Sequence, residues 1–539
     1  MYRMRMSALT ALVLALAACA PTPRTTDAGR YVELTLLGFN DFHGALEQPR
    51  GGPGGAAYLA AHLRQERSRS VHTVTVSAGD LIGATPLIAS LFHDEPVIEV
   101  ADLIGLEFHA VGNHEFDDGK NELLRMQHGG PRPDGRGDFA GARFRFLAAN
   151  VVVEATGETL FPAWAVRRYG GVPVGFIGLT LAGTPALVTA SGVAGLRFLD
   201  EVHAINQAVQ ELRGQGVEAI VVLIHEGGYP AEGGEDDCND FKGAIVDIVA
   251  GTDPAVDLFV TGHTHRHYLC RLDGRPVTSA GSTGRWYTRI DARLERESGD
   301  LEVTGFDNVP VTADIEPAAD VLALVDRYRA LVEGPAGRVV GRITGDLTRE
   351  TDDGGVSALG AFIADVQLAA SAAAGAELAL MNAGGMRGDL EFAPADGRRP
   401  GEVTYGDIFR VHPFGNHLVT MTLTGRQLHT LLEQQWIDQA ALNVLMPSAG
   451  FSYAWRESAP PGARVDPSSI RLHGRPVEPD ASYRVTVNSF LAGGGDGFTV
   501  LREGTERHNG IADVDALEQY LARMSPVSPP DAGRVVVQP

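Results

Sequence analysis

Six apolar runs of strand length recur through the first half of the chain, and five of them end in side chains able to bind a cation. Val32 to Phe39 leads into Asn40-Asp41-Phe42-His43, and Thr73 to Ser77 into Gly79-Asp80. Phe108 to Val111 leads into Gly112-Asn113-His114-Glu115, Ala219 to Ile224 into His225-Glu226, and Asp257 to Val260 into Gly262-His263-Thr264-His265. Val174 to Leu179 is the sixth run. Such runs, alternating with helical stretches, predict buried strands of a layered α/β domain. Ligands in folds of this kind gather beyond the carboxyl ends of strands, so residues far apart in sequence are expected to converge. Asp41 and His43, like His263 and His265, stand two apart, which in extended backbone puts both side chains on one face.

The donor set mixes imidazoles with carboxylates and one amide and lacks a thiolate, a combination that suits Zn, Mn, Fe, Co or Ni without selecting among them. Eight donor residues exceed the needs of one tetrahedral ion, so two ions sharing a bridging carboxylate are expected. Ions about 3.5 to 4 Å apart can clamp the oxygens of a phosphoryl group during in-line displacement.

At 539 residues the chain exceeds what one hydrophobic core supports, and at least two domains are expected. Its formal net charge of -23 repels nucleic-acid polymers and anionic lipid heads. A small anionic substrate then requires bound cations or clustered arginines to reverse the field locally. The N-terminus reads as a targeting segment: Arg3 and Arg5 precede an apolar run, Ala8 to Ala17, too short to span a bilayer. Leu16-Ala17-Ala18-Cys19 resembles a bacterial lipobox, which implies cleavage before Cys19 and a lipid on its sulfur. Of the two remaining cysteines, Cys238 and Cys270, a disulfide is the simplest expectation in an oxidising compartment.

The expected organisation is a lipoprotein signal peptide over 1–18, a flexible tether over 19–30, a first α/β domain over 31–312, a linker helix over 313–336 and a second α/β domain over 337–525. Helical periodicity from Ala318 to Val332 followed by Glu333-Gly334-Pro335 predicts a helix that stops there. Ser357 to Ala374 predicts a second helix packed on one face, and the stretch from Ser525 to Pro530 reads as the end of the fold.

The five donor blocks resemble those of the calcineurin-like metallophosphoesterases, in particular the 5'-nucleotidases and UDP-sugar hydrolases. The resemblance continues in the second half through Asn382-Ala383-Gly384-Gly385-Met386-Arg387, Pro413-Phe414-Gly415 and the segment Asn488 to Phe498. It implies a calcineurin-like α/β sandwich, a linker helix and a 5'-nucleotidase C-terminal α/β domain, with the site between the domains. It implies two divalent ions (Zn, Mn, Co or Mg), one held by Asp41, His43, Asp80 and His265, the other by Asp80, Asn113, His225 and His263. His114 and Asp117 match the family's catalytic pair. Arg349 and Arg387 would bind phosphate oxygens, Phe414 and Phe490 would stack on a base, Asp496 would accept from ribose hydroxyls, and Asn382 could contact the base. The activity implied is phosphate release from nucleoside 5'-monophosphates, with nucleotide sugars and 2',3'-cyclic nucleotides as further substrates. Two other readings are a dimetal thiosulfate-releasing enzyme of sulfur oxidation and a non-catalytic nucleotide-binding surface lipoprotein.

Overall fold

The structure, a computed structural model, describes residues 29–49, 52–133, 135, 137–230, 238–393, 397–436, 443–530 and 533–538. The expected signal peptide and Cys19 lie outside them. Along the strand Tyr31–Phe39, Leu34 and Leu36 join one apolar layer while Leu37 and Phe39 join another. Ala219–His225 divides in the same way: Val221 and Leu223 share the layer of Leu34 and Leu36, and Val222 and Ile224 belong to a third. Strands apolar on both faces require cover on both, which a stack of two sheets flanked by helices provides.

The first sheet runs in the order Leu301–Pro310, Trp286–Glu295, Tyr31–Phe39, Thr73–Ala78, Phe108–Ala110 and Arg145–Leu147. The second runs His267–Leu272, Arg275–Ala280, Leu258–Thr261, Ala219–His225, Val172–Thr180 and Trp164–Tyr169. Val74, Val76 and Phe108 meet Val174, Phe176 and Val260 in the layer between them. Neighbouring strands at the centre of each sheet are parallel, Thr35 opposite Thr73 in one and Val221 opposite Leu258 in the other. Parallel pairing brings their carboxyl ends to one edge of the sandwich, and every donor block follows one of those ends.

The outer face of the first sheet is covered by Ala56–Arg69, Glu95–Ile104 and the long helix Ala319–Gly337, which contributes Val321, Val325, Tyr328 and Val332. That helix runs through the stop expected at Glu333-Gly334-Pro335. Pro335 removes the single N–H that would bond the Leu331 carbonyl, and because the helix ends two residues later only that one intrahelical bond is lost. The same helix also touches Tyr405–Val411 of the second domain and so ties the two units together.

The second domain holds a five-stranded sheet in the order Met446–Pro447, Leu378–Met381, Ser482–Asn488, His417–Thr424 and Thr505–Ala512. Ser357 caps the helix Ala358–Ala370 by accepting from the Gly360 N–H, and the helix packs Leu359, Phe362 and Ile363 into the core. The fold does not end at Ser525–Pro530. Val535–Gln538 pairs in parallel with Phe451–Arg456, and Val535 enters the core. A four-residue run behind a proline-rich stretch is too short to read as a strand without its partner.

Cys238 and Cys270 form a disulfide with Cα atoms 5.7 Å apart and 32 residues of sequence separation. Cross-linking a loop of that length is worth about 3 to 4 kcal/mol in the chain-entropy account. Replacing both cysteines by serine is therefore expected to lower unfolding stability by about that amount. Denaturant melts of the two proteins check it, and superimposable curves would remove the disulfide from the stability of this domain.

Candidate metal centre and facing pocket

Asp41, Asp80 and His225 bring ligand atoms within 4.8 Å of one another, as do Asp41, His43 and His265, and His43, Asp80 and His114. Asp80 belongs to two of these groups and is 1% exposed. Its Oδ2 lies 3.0 Å from His225 Nε2 and 3.7 Å from His43 Nε2, so one carboxylate spans both halves of the cluster. Asn113 Oδ1 lies 3.1 Å from His225 Nε2, and the His263 ring centroid lies 5.2 Å from that of His225. On the other side, His265 Nε2 lies 3.3 Å from Asp41 Oδ1 and 3.1 Å from His43 Nε2. All seven metal donors expected from sequence are thus gathered at one place.

Five of the seven stand in left-handed backbone: Asp41, His43, Asp80, His263 and His265 have φ of 49°, 45°, 50°, 72° and 56°. The extended geometry expected for Asp41/His43 and His263/His265 is therefore wrong. Their strands end at Phe39 and Thr261, and the donors project from tight turns beyond. Non-glycine residues in this region cost energy and concentrate at functional sites. Gly79 makes one such turn feasible: its φ is 92°, and a Cβ there would lie 2.3 Å from His225 Nδ1.

Partners outside the cluster aim the imidazoles. The Ala78 carbonyl lies 2.8 Å from His225 Nδ1 and the Gly83 carbonyl 3.0 Å from His43 Nδ1. A carbonyl only accepts, so each Nδ1 carries the proton and each Nε2 faces inward. His225 Nε2 then points at two oxygens and His43 Nε2 at another imidazole nitrogen. Acceptors converging without donors are what a cation satisfies, so these residues fit a divalent metal. Burial holds His43 well below the usual histidine range and brings His263 to about 4, leaving both neutral. Burial raises Asp80, but the neighbouring His225 and His114 outweigh it and keep the carboxyl well below its usual range. Burial likewise opposes protonation of His225, yet Asp80 lifts it to about 10, where a proton occupies the place a metal would take.

Glu115 and Glu226 are not among the gathered donors. Glu115 instead accepts from the backbone N–H groups of Asp80, Leu81, Ile82 and Gly112 at 3.0, 2.7, 3.2 and 2.5 Å. It clamps the turn that presents Asp80, a role that needs the folded loops to be visible. Glu115→Gln turns an amide toward those N–H groups, and metal affinity is expected to fall by about 10- to 100-fold with the fold retained. Metal titration of the two proteins tests this; equal affinities would reduce Glu115 to a local packing residue.

A cavity of about 190 Å³ opens beside the cluster, lined by Asn113, His114, Asp117 and His263 from the first domain. Asn382, Arg387, Phe414, Phe490 and Asp496 close it from the second. His114 Nδ1 pairs with Asp117 Oδ2 at 2.8 Å, and its ring stacks on Phe414 at 5.7 Å and 16°. Arg387 stands over the Phe414 ring, its guanidinium carbon 5.9 Å from the centroid. Asn382 donates to Asp496 Oδ2 at 2.8 Å and accepts from Asn488 Nδ2 at 3.0 Å, so its amide braces Asp496. Gly495 lets the Phe490 ring lie close, since a Cβ there would meet ring carbons at 2.4 Å. Arg349 stands apart from this cavity, paired with Asp389 at 3.1 Å in a neighbouring chamber.

The fold and site define a class: an α/β sandwich with a candidate metal centre, faced by a second α/β domain that carries an aromatic and arginine pocket. Residues 34–267 match the family model for calcineurin-like phosphoesterases, and residues 339–503 match that for the 5'-nucleotidase C-terminal domain. A 5'-nucleotidase precursor from Thermus thermophilus superposes with a TM-score of 0.78 at 27% identity, covering 94% of this chain and 100% of the other. The 5'-nucleotidase of Vibrio cholerae is 26% identical over 96% of this chain and 95% of its own length. Endonuclease YhcR of Bacillus subtilis is 31% identical over 87% of this chain, which spans 38% of that relative. The chain belongs to the family that joins a calcineurin-like phosphoesterase domain to a 5'-nucleotidase C-terminal domain.

Proposed function

We propose that the protein is a metal-dependent phosphohydrolase that releases phosphate from nucleoside 5'-monophosphates. The observation that carries this reading is the shared cavity: Asn113 and His263 of the cluster, with His114 and Asp117, line it from one domain, and Phe414, Phe490, Asp496 and Arg387 line it from the other. Asp41, His43, Asp80 and His265 would hold one divalent ion, and Asp80, Asn113, His225 and His263 the other. Bound ions supply positive charge against phosphoryl oxygens and acidify water.

The chain's own side chains do the rest. Phe414 and Phe490 take the base between them, and Asp496, braced by Asn382, accepts from the ribose hydroxyls. Arg387 and Arg349 present paired donors to phosphate oxygens. With Nδ1 engaged by Asp117, His114 directs Nε2 to a phosphoryl oxygen as charge builds there. Asp117 and Asp80 outweigh burial and raise the pKa of His114, favouring the donor form. The N-terminal leader, Cys19 and the disulfide support an exported, lipid-anchored protein of the cell envelope.

The experiment is phosphate release by the soluble chain from AMP, cyclic AMP isomers and UDP-glucose, with Mn²⁺ or Zn²⁺ against a chelated control. Release from AMP that stops on chelation and returns with metal is the expected result. A metal-loaded protein inert toward AMP would overturn the reading.

A further inference from the structure

A second chamber, of about 550 Å³, adjoins the cluster at His43 and His265. Its size falls in the range of about 300 to 1,000 Å³ usual for ligand pockets. His43 and His265 form its inner wall, and Arg387 lines both cavities, so the two meet at the site where the scissile phosphate is placed above. Arg285, Arg349 and Arg410 line it as well. The one acidic side chain on its wall, Glu47, is turned to Arg329 at 2.6 Å. Arg410 reaches Asp407 only at 3.4 Å, a carboxylate already held by Arg398 at 2.5 and 3.2 Å. Arg285 has no acidic partner among the described residues. In a chain of net charge -23, an open chamber lined by four arginines, of which Arg349 is paired with Asp389 and Arg285 meets no acidic side chain among the described residues, is suited to an anion. A nucleoside 5'-monophosphate, with its base in the aromatic pocket and its one phosphate at the cluster against Arg387 and Arg349, leaves Arg285 and Arg410 without an anion.

We propose that the chamber is a subsite for a second phosphate, carried on the substituent of the scissile phosphorus that does not enter the aromatic pocket, with Arg285 and Arg410 as its binding residues. The substrate class is a short phosphodiester with a terminal phosphate, such as the dinucleotide pApA. Water adds to the linking phosphorus, the P–O5' bond breaks, adenosine leaves as its O5' takes a proton, and adenosine 3',5'-bisphosphate remains in the chamber. The acidic surface opposes longer polymers, so the subsite selects short substrates. This rests on the orientation proposed for the mononucleotide.

The test separates the two. Binding of adenosine 3',5'-bisphosphate and of adenosine 3'-monophosphate is measured by calorimetry on the full chain under chelation, for the native protein and Arg285→Gln. Arg285 is exposed, so the substitution leaves the fold intact. The native protein is expected to bind the bisphosphate at least about tenfold more tightly, with that preference lost in the variant while affinity for the monophosphate and phosphate release from AMP stay within about twofold. With metal restored, pApA is expected to be cleaved faster than ApA by the native protein only. Equal binding of the two nucleotides, or equal losses of both in the variant, overturns the subsite whatever happens to AMP. Retained discrimination by a protein inert toward AMP overturns the nucleotidase reading and leaves the subsite standing.

Discussion

Asp80→Asn is expected to abolish phosphate release from AMP, by about a thousandfold or more, and to lower bound metal at the same time. The carboxylate is the member of the cluster that faces both halves, at 3.0 Å from His225 Nε2 and 3.7 Å from His43 Nε2. Its second oxygen accepts from the His114 backbone N–H at 2.9 Å. Asparagine keeps the shape but removes the charge and sets an N–H₂ against one of these contacts. An imidazole Nε2 and a metal cannot both be served by an amide that must also accept from His114. Buried among imidazoles, the native carboxyl stays ionised, so the substitution removes a full negative charge from the centre. Metal content by elemental analysis and turnover with AMP are read together, with a melting curve to establish folding. A folded variant with native metal content and native turnover would remove Asp80 from the chemistry and with it the two-ion arrangement.

How much of this was legible in the sequence depends on the range of the interaction concerned. Strands such as Ala219–His225 were readable because burial on both faces demands unbroken apolar side chains, and the donors were readable because parallel strands deliver their carboxyl ends to one edge. The backbone at Asp41, His43, Asp80, His263 and His265 was not. Asp and His tolerate left-handed φ better than most residues, yet nothing local obliges them to adopt it, and the obligation arises only where the two sheets meet. Asn40 illustrates the point: its amide donates to the Gly281 carbonyl at 2.7 Å and accepts from the Ala280 N–H at 2.8 Å, locking the turn before Asp41 to a strand 240 residues away. Glu115 stands in a donor block, yet its carboxylate is consumed by four backbone N–H groups from two loops, a role that nothing local in the sequence marks. The helix at Pro335 and the last strand at Val535 were misjudged for a related reason. A terminal turn and a four-residue strand are decided by what they pack on.

The second large effect separates chemistry from metal retention. His114 lies within 4.8 Å of His43 and Asp80 by its ligand atoms, so proximity alone would admit it as a metal ligand. The orientation argues otherwise: Nδ1 is engaged by Asp117 Oδ2 at 2.8 Å, the ring lies flat against Phe414, and the residue lines the substrate cavity. Every other histidine of the cluster whose Nδ1 partner is seen meets a neutral carbonyl; His114 meets a carboxylate, which favours the protonated ring and disfavours coordination. His114→Ala is accordingly expected to keep its metal and lower kcat for AMP by about 10²- to 10³-fold, the loss typical of one donor to a developing oxyanion. The backbone N–H that Asp80 accepts from survives the substitution, so the turn that presents Asp80 is preserved. KM is expected to move much less than kcat, because the ring's contribution grows only as charge builds on the phosphoryl oxygens. Asp117→Asn should follow with a smaller loss of about tenfold, since it orients and polarises the imidazole without meeting the substrate. Loss of metal in His114→Ala would make the residue a ligand and pass the task of stabilising that charge to Arg387, whose guanidinium faces the same cavity.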